Sequence, residues 1–385
     1  MNINNIVIAG MGQTSVGELT GKNSMQIQVE AAKLAIEDAG IDKTEIDGLI
    51  NTITRTDKYL MPSLVLGEHL DIEPNYTYTS SMGGMSGIDM IVHAIMAIRQ
   101  GLAEVVLVVG GENRLTGLSR DGAIAAVASI GQPEFESPYG PLAPAFYAMM
   151  AQRHQYLYGT TEEQMAEVAV AFRRHAAANP YSQMKKLITI NDVMNSKRIA
   201  SPLKLLDCCL ISDGGGALVI MSEQRYSKSK KTPVHIRGFG TAHVQEHLLA
   251  LKDLTNIACQ RSSERAFQMA GLTPEDIDVA ELYDCFTITV LIELENLGFC
   301  PKGEAGDFVK DGAIQIDGRL PVNTHGGLLS HGQPGAMGGL FHVIEGVRQL
   351  RQEASPEVQA KNPEHVLVHN IGGVMSAHGT LILGR

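Results

Sequence analysis

The sequence predicts an α/β protein made of two copies of one unit. Apolar runs of buried-strand type alternate with amphipathic helical runs. A segment of the first half recurs in the second at a constant spacing, and a long stretch between the copies has no counterpart.

Ile6 to Ala9 reads as a short strand closed by Gly10, followed by a polar loop through Lys22. Gln26 to Ala39 reads as an amphipathic helix, with Gly40 placed to cap its C-terminus, and a second strand is expected near Leu49 to Thr52. Ser80-Ser-Met-Gly-Gly-Met-Ser-Gly87 then forms a tight turn opening a helix with apolar residues at Met85, Ile88, Ile91, Ala94, Ile95 and Ile98. Such a helix is apolar on nearly all sides and belongs in the core. Its N-terminus would aim unpaired N–H groups past Gly83 and Gly84, where an anion or a developing oxyanion is stabilised. The other reading is a core helix that needs these glycines only for close packing. Val105 to Val109 reads as a buried strand of parallel type, closed by Gly110-Gly111-Glu112.

The repeat is direct. Ala39-Gly40 and Ile46-Asp47 recur as Ala270-Gly271 and Ile277-Asp278, and Ile8-Ala-Gly10 is echoed by Ile236-Arg-Gly238. The glycine turn and apolar helix recur at Gly332 to Val347, and the strand at Val105 recurs at His365 to His369. The expected halves are residues 1–231 and 232–385, the first carrying an insertion at about 113–200 rich in Met, Tyr and His. An insertion this long on a rigid scaffold builds a binding site or lid.

The 385 residues, 44% of them hydrophobic, support a substantial core. With 31 Lys and Arg against 42 Asp and Glu, the net charge of −11 argues against nucleic-acid or anionic-membrane binding. Lys185-Lys186 and Lys228 to Lys231 are the local basic patches that would meet a phosphorylated small molecule; solvated surface is the plainer reading. Five scattered cysteines indicate neither a disulfide framework nor a metal ribbon, so a reducing cytoplasm and no metal are expected. No signal segment or run of membrane-spanning length is seen.

Seven stretches in order resemble the thiolase superfamily, in particular sterol-carrier-protein-type thiolases and their cysteine-poor relatives. They are Gly84-Met-Ser-Gly87, Ala103 to Glu112, His175 to Pro180, Asp207 to Gly214, Tyr283-Asp-Cys-Phe286, Gly326 to Gly335 and His369-Asn-Ile-Gly-Gly373. The resemblance implies two α/β halves stacked face to face in a five-layer αβαβα arrangement, with a loop domain inserted in the first. It implies acyl-CoA substrates, with coenzyme A arriving as part of the substrate and no separate cofactor. It also implies a homodimer or tetramer, and a small zinc-ribbon/OB-fold partner protein.

The departures from that family carry the functional expectation. The position of the thiolase nucleophilic cysteine falls on Gly84, which has no side chain to acylate, and the histidine that activates it corresponds to Gln333. A glutamine takes up no proton at neutral pH, although its amide can donate to an oxyanion. Cys285 is retained as the family's second acid/base, while Tyr283 replaces the family's histidine and resembles the thiolase-like aldolases of steroid side-chain breakdown. His331 could take over the base role vacated at Gln333. His369, Asn370 and Gly372, at a strand end before a glycine pair, are expected on the pocket floor.

The first expectation is therefore retro-aldol cleavage of a β-hydroxyacyl-CoA. A base near Tyr283, Cys285 or His331 would remove the hydroxyl proton, and Gly83, Gly84 and Gln333 would hold the enolate. The rivals are an acyltransferase with an unconventional or partner-supplied nucleophile, and a non-catalytic acyl-CoA-binding subunit of a complex.

Overall fold

The computed structural model describes residues 5–128, 130–226 and 231–385, so of the basic run 228–231 only Lys231 lies among the described residues. The first half runs β1 (Ile6–Gln13), α1 (Ser24–Ala39), β2 (Gly48–Thr52), α2 (Pro62–Leu70), β3 (Tyr76–Ser80), α3 (Ser86–Arg99) and β4 (Val105–Asn113). The segment that follows carries α4 (Arg120–Ala128), α5 (Ala143–Tyr158), α6 (Glu162–Ala178), α7 (Ile190–Met194) and the hairpin β5 (Arg198–Ala200) with β6 (Leu203–Lys204). Then come β7 (Asp213–Ser222), α8 (Glu223–Tyr226), β8 (Val234–His243), α9 (Cys259–Ala270), β9 (Val279–Leu282) and α10 (Thr287–Asn296). The chain ends with α11 (Ala305–Phe308), α12 (Gly338–Arg351), β10 (His365–Gly372) and β11 (Ala377–Gly384).

Local chemistry explains these boundaries. Asn23 and Gln26 form a reciprocal capping box that starts α1, and Gly40, at φ 66°, returns its N–H to the Ile36 and Glu37 carbonyls to end it. A β-carbon on Gly10 would lie 2.3 Å from the Ala35 carbonyl oxygen, so α1 rests directly on β1; Gly238 repeats the arrangement with Ala266 of α9 at 2.2 Å. The duplicated sequence is thus a duplicated helix-on-strand contact.

The strands form one sheet in the order β3-β2-β4-β7-β1-β8-β11-β10-β9. Its two ends mirror each other. In the first half, β2 is parallel to β3 and β4 while β7 is antiparallel to β4 and β1. In the second, β10 is parallel to β9 and antiparallel to β11, which is antiparallel to β8. Val322 bridges Ala280 in parallel, a remnant standing where β3 stands in the first half. The halves meet where Val7 and Ile8 of β1 pair with His235 and Val234 of β8. The expectation of a parallel strand at Val105 holds only on its β2 side. Its apolar run reports burial on both faces, which neighbour direction does not alter.

Helices α3 and α12 lie between the two half-sheets, packing Ile88, Ile91 and Ile95 with Leu340, Phe341 and Ile344 against Val106, Ile220, Val366 and Leu381. Helix α1 covers the outer face of the first half-sheet and α9 that of the second, which completes five layers. Burial of α3 is less complete than its apolar run suggested, since Met96 is 44% exposed. Phe146, Tyr147 and Met150 of α5 and Phe172 of α6 join the core beneath β9 and α10, so the inserted segment shares the second half's core. No helix among the described residues is long and apolar enough to cross a membrane.

Candidate active site

The turn Gly83–Met85 feeds α3 at the centre of the molecule, and two close backbone approaches enclose it. Gly83 adopts φ 59°, a left-handed conformation that glycine takes without strain. A β-carbon on Gly372 would lie 2.0 Å from the Met82 carbonyl oxygen, and one on Gly339 would lie 2.3 Å from that of Gly84. The end of β10 and the start of α12 therefore press against this turn. The first N–H groups of the turn have no acceptor within it, as at any helix start.

Tyr283 and Cys285 reach the site from the loop joining β9 to α10. The Tyr283 ring lies over Gly84: a β-carbon at residue 84 would sit 2.1 Å from the phenol oxygen and 2.1 Å from Cζ. Gln333 Nε2 donates to the same oxygen at 2.8 Å. Because the amide is the donor there, the phenol proton is left free to point elsewhere. Gln333 is held in turn by its N–H, which donates to Ser212 Oγ at 3.0 Å. Its Oε1 is buried without a hydrogen-bond partner. Burial pushes the Tyr283 phenol well above its ordinary range, helped by the neighbouring Cys285 and Cys209 thiols, and outweighs the opposing bond from Gln333. Burial likewise raises the Cys285 thiol, with Cys209 adding to it. Both groups are therefore neutral proton carriers at neutral pH.

Asp284 turns away from the pair. Its carboxylate accepts the N–H groups of Leu328 and Leu329 at 2.8 and 3.0 Å, holding the π turn Gly327–His331. Its Oδ1 also meets His342 Nε2 at 3.2 Å.

Of the residues expected from sequence, the structure brings together Gly83, Gly84, Tyr283, Cys285, Gln333 and Gly372, with Asn370 beside them. Asn370 Nδ2 donates to the Gly339 carbonyl at 3.0 Å, and its Oδ1 is buried and unpartnered. His369 and His331 are not part of the group. Successive strand residues face opposite sides, so His369 lies behind β10, where its ring meets Thr380 at 2.9 Å and His378 at 3.2 Å. The expectation that it lines the pocket floor is corrected on that ground. His331 is turned toward Gln13 at 3.0 Å through Nε2 and toward Ser182 at 3.1 Å through Nδ1, and burial lowers its basicity well below the usual range. The π turn rotates it away from Gln333, so it is not placed as the base.

Sequence reasoning missed two contributors. Tyr147, from α5 of the inserted segment, stacks on Phe286 with ring centroids 4.5 Å apart and donates to the Gly373 carbonyl at 3.1 Å. Its hydroxyl also interacts with the Cys285 thiol. Cys209 donates its N–H to the Cys285 carbonyl at 3.0 Å and sits against the same thiol. Burial pushes Cys209 up to about 11. The richness of the insertion in tyrosine was the only signal for the first, and nothing in the spacing marked the second.

Comparison with known proteins identifies the family. Residues 6–224 match the thiolase N-terminal domain family, and residues 240–385 match the thiolase C-terminal domain-like family. The chain is 37% identical to a 17-hydroxy-3-oxo-4-pregnene-20-carboxyl-CoA lyase of Mycobacterium tuberculosis, with 98% of each chain covered. It is 35% identical to an acetyl-CoA acetyltransferase of Methanothermobacter thermautotrophicus, with 99% of each covered. A solved Ltp2-ChsH2(DUF35) aldolase superposes with a TM-score of 0.88 at 34% identity, covering 99% of this chain and 98% of that one. Both halves of the chain, in sequence and in fold, thus belong to the thiolase superfamily.

Proposed function

We propose that the protein cleaves a β-hydroxyacyl-CoA by a retro-aldol reaction, without an acyl-enzyme. The observation that carries this reading is the Tyr283 phenol, which fills the space a nucleophilic side chain at residue 84 would need. Similarity to a steroid carboxyl-CoA lyase and to a steroid side-chain-cleaving aldolase of Thermomonospora curvata, 36% identical, supports it.

In this reaction the Cα–Cβ bond breaks as the β-hydroxyl loses its proton, giving a carbonyl compound and a thioester enolate that is protonated at Cα. A phenol kept neutral by burial suits a relay: it gives its proton to Cα while receiving that of the β-hydroxyl, and ends unchanged. Gln333 fixes the oxygen and so aims the proton. In this reading the N–H groups at Gly83 and Gly84, in the turn ahead of α3, hold the enolate oxygen. Coenzyme A arrives as part of the substrate.

We further propose that the protein works as a homodimer or tetramer in the cytoplasm, and that it associates with a small DUF35-type partner, as in the similar aldolase complex. Substitution tests the chemistry: Tyr283→Phe removes the relay hydroxyl while keeping the ring, and turnover should fall by about 100-fold or more. Full activity in Tyr283→Phe and in Cys285→Ala would remove the assignment. Co-expression with a DUF35-type protein, followed by size-exclusion chromatography, tests the assembly.

A further inference from the structure

We infer that Glu281, His325 and His342 form a binding site for a divalent first-row transition metal, zinc foremost. These residues come from three separate places: the end of β9, the turn before the π turn, and the middle of α12. All three are fully buried, and one potential ligand atom from each lies within 4.8 Å of the others.

The orientation of the donors points to a ligand rather than to mutual pairing. Glu281 Oε2 and His325 Nδ1 approach to 2.9 Å, yet neither is aligned for a hydrogen bond and each lacks a hydrogen-bond partner. Two atoms that share a metal stand in this relation, close in distance while both aim at a third point. His342 Nδ1 is likewise buried and unpartnered. Leaving three such atoms unsatisfied in a dry interior is costly, and a coordinated cation satisfies them together.

The surrounding residues orient the set as metal sites require. Glu281 Oε1 accepts from Thr324 N and Oγ1 at 3.0 and 2.9 Å, which fixes the carboxylate and leaves Oε2 facing inward. Asp284 Oδ1 meets His342 Nε2 at 3.2 Å, the carboxylate–histidine contact that sets a ligating ring's tautomer and direction. Two imidazoles and one carboxylate suit zinc, ferrous iron or manganese, and a fully buried set favours a structural ion over one that binds substrate. Such an ion would tie together β9, the turn before the π turn and α12; Tyr283 directly follows β9, and Gln333 lies between the π turn and α12. The inference does not depend on the proposed reaction.

The test is elemental analysis of the full-length protein expressed with zinc, manganese, iron or cobalt supplements and purified without chelator, with thermal unfolding alongside. About one equivalent of one of these metals per chain is expected, with visible absorption bands for the cobalt form. Removal of the metal by a strong chelator should lower the unfolding temperature by several degrees, and re-addition should restore it. Glu281→Gln and His325→Asn should each lose the metal response. A folded wild-type protein that retains less than about a tenth of an equivalent of every metal tried, and whose unfolding temperature none of them shifts, overturns the site. Variants that fold and keep the metal at wild-type level overturn it equally. If the variants do not fold, the wild-type stripping and reconstitution decides.

Discussion

The Tyr283 hydroxyl occupies the space of the side chain that residue 84 lacks, since a β-carbon built there would stand 2.1 Å from the phenol oxygen. The absence of a side chain at residue 84 and the presence of the tyrosine are thus one steric arrangement. Gly84→Ala should cost about 1–3 kcal/mol through overpacking. The cost should largely vanish in a Tyr283→Ala background. Urea denaturation of the four proteins of that cycle measures the coupling, and additive costs would mean that the ring yields freely.

Restoring a cysteine alone should not restore acyl transfer. Gly84→Cys meets the same ring, and Gln333 supplies no base. After exposure to an acyl-CoA, the intact mass of this variant should stay unchanged. A stable acyl adduct would show that the phenol moves aside at little cost.

Gln333→Leu removes the amide that fixes the phenol oxygen, while its bulk keeps the cavity filled. Turnover should fall by about tenfold or more with KM changed little, because the lost bond aims the proton and does not hold the coenzyme. Equal changes in KM and turnover number would point instead to a general disturbance of the pocket.

Tyr147→Phe removes the hydroxyl that bridges the inserted segment to Gly373 and Cys285. A loss of about 0.5–1.5 kcal/mol in stability is expected from the hydrogen bond, along with slower turnover. Wild-type kinetics in this variant would confine the inserted segment to a packing role at this point.

Acid should destabilise the fold through His369 and His378, which burial holds neutral, His378 being pulled down to about 4. In the unfolded chain each takes up a proton near pH 6.5. The folded form therefore keeps its full advantage above that value and loses it as pH falls from about 6.5 toward 4, by up to about 1.4 kcal/mol per pH unit for each histidine. Unfolding midpoints followed from pH 7 to 5 should fall less steeply in His378→Gln than in the wild type.

Much of the architecture was legible in the sequence because duplication repeats chemistry. Ala39-Gly40 and Ala270-Gly271 end two equivalent helices, and Gly10 and Gly238 admit them onto two equivalent strands. The lack of a side chain at residue 84 was legible as an identity, but the tyrosine that fills its place was not, because that contact joins residues far apart in the chain. The orientations of His331 and His369 were hidden for a local reason. A π turn rotates one and strand alternation reverses the other, and a residue count across a turn carries neither. Glu281, His325 and His342 share no ligand spacing, so only the fold assembles them.

The most direct test of carbon–carbon cleavage without an acyl-enzyme is mass spectrometry of products from a panel of β-hydroxyacyl-CoA and β-ketoacyl-CoA esters, each with and without free CoA. Retro-aldol chemistry requires a β-hydroxy ester to yield a carbonyl compound and a shortened acyl-CoA at the same rate whether or not free CoA is present. Cleavage confined to β-keto esters and dependent on free CoA would contradict it, and would return the protein to thiolytic acyl transfer.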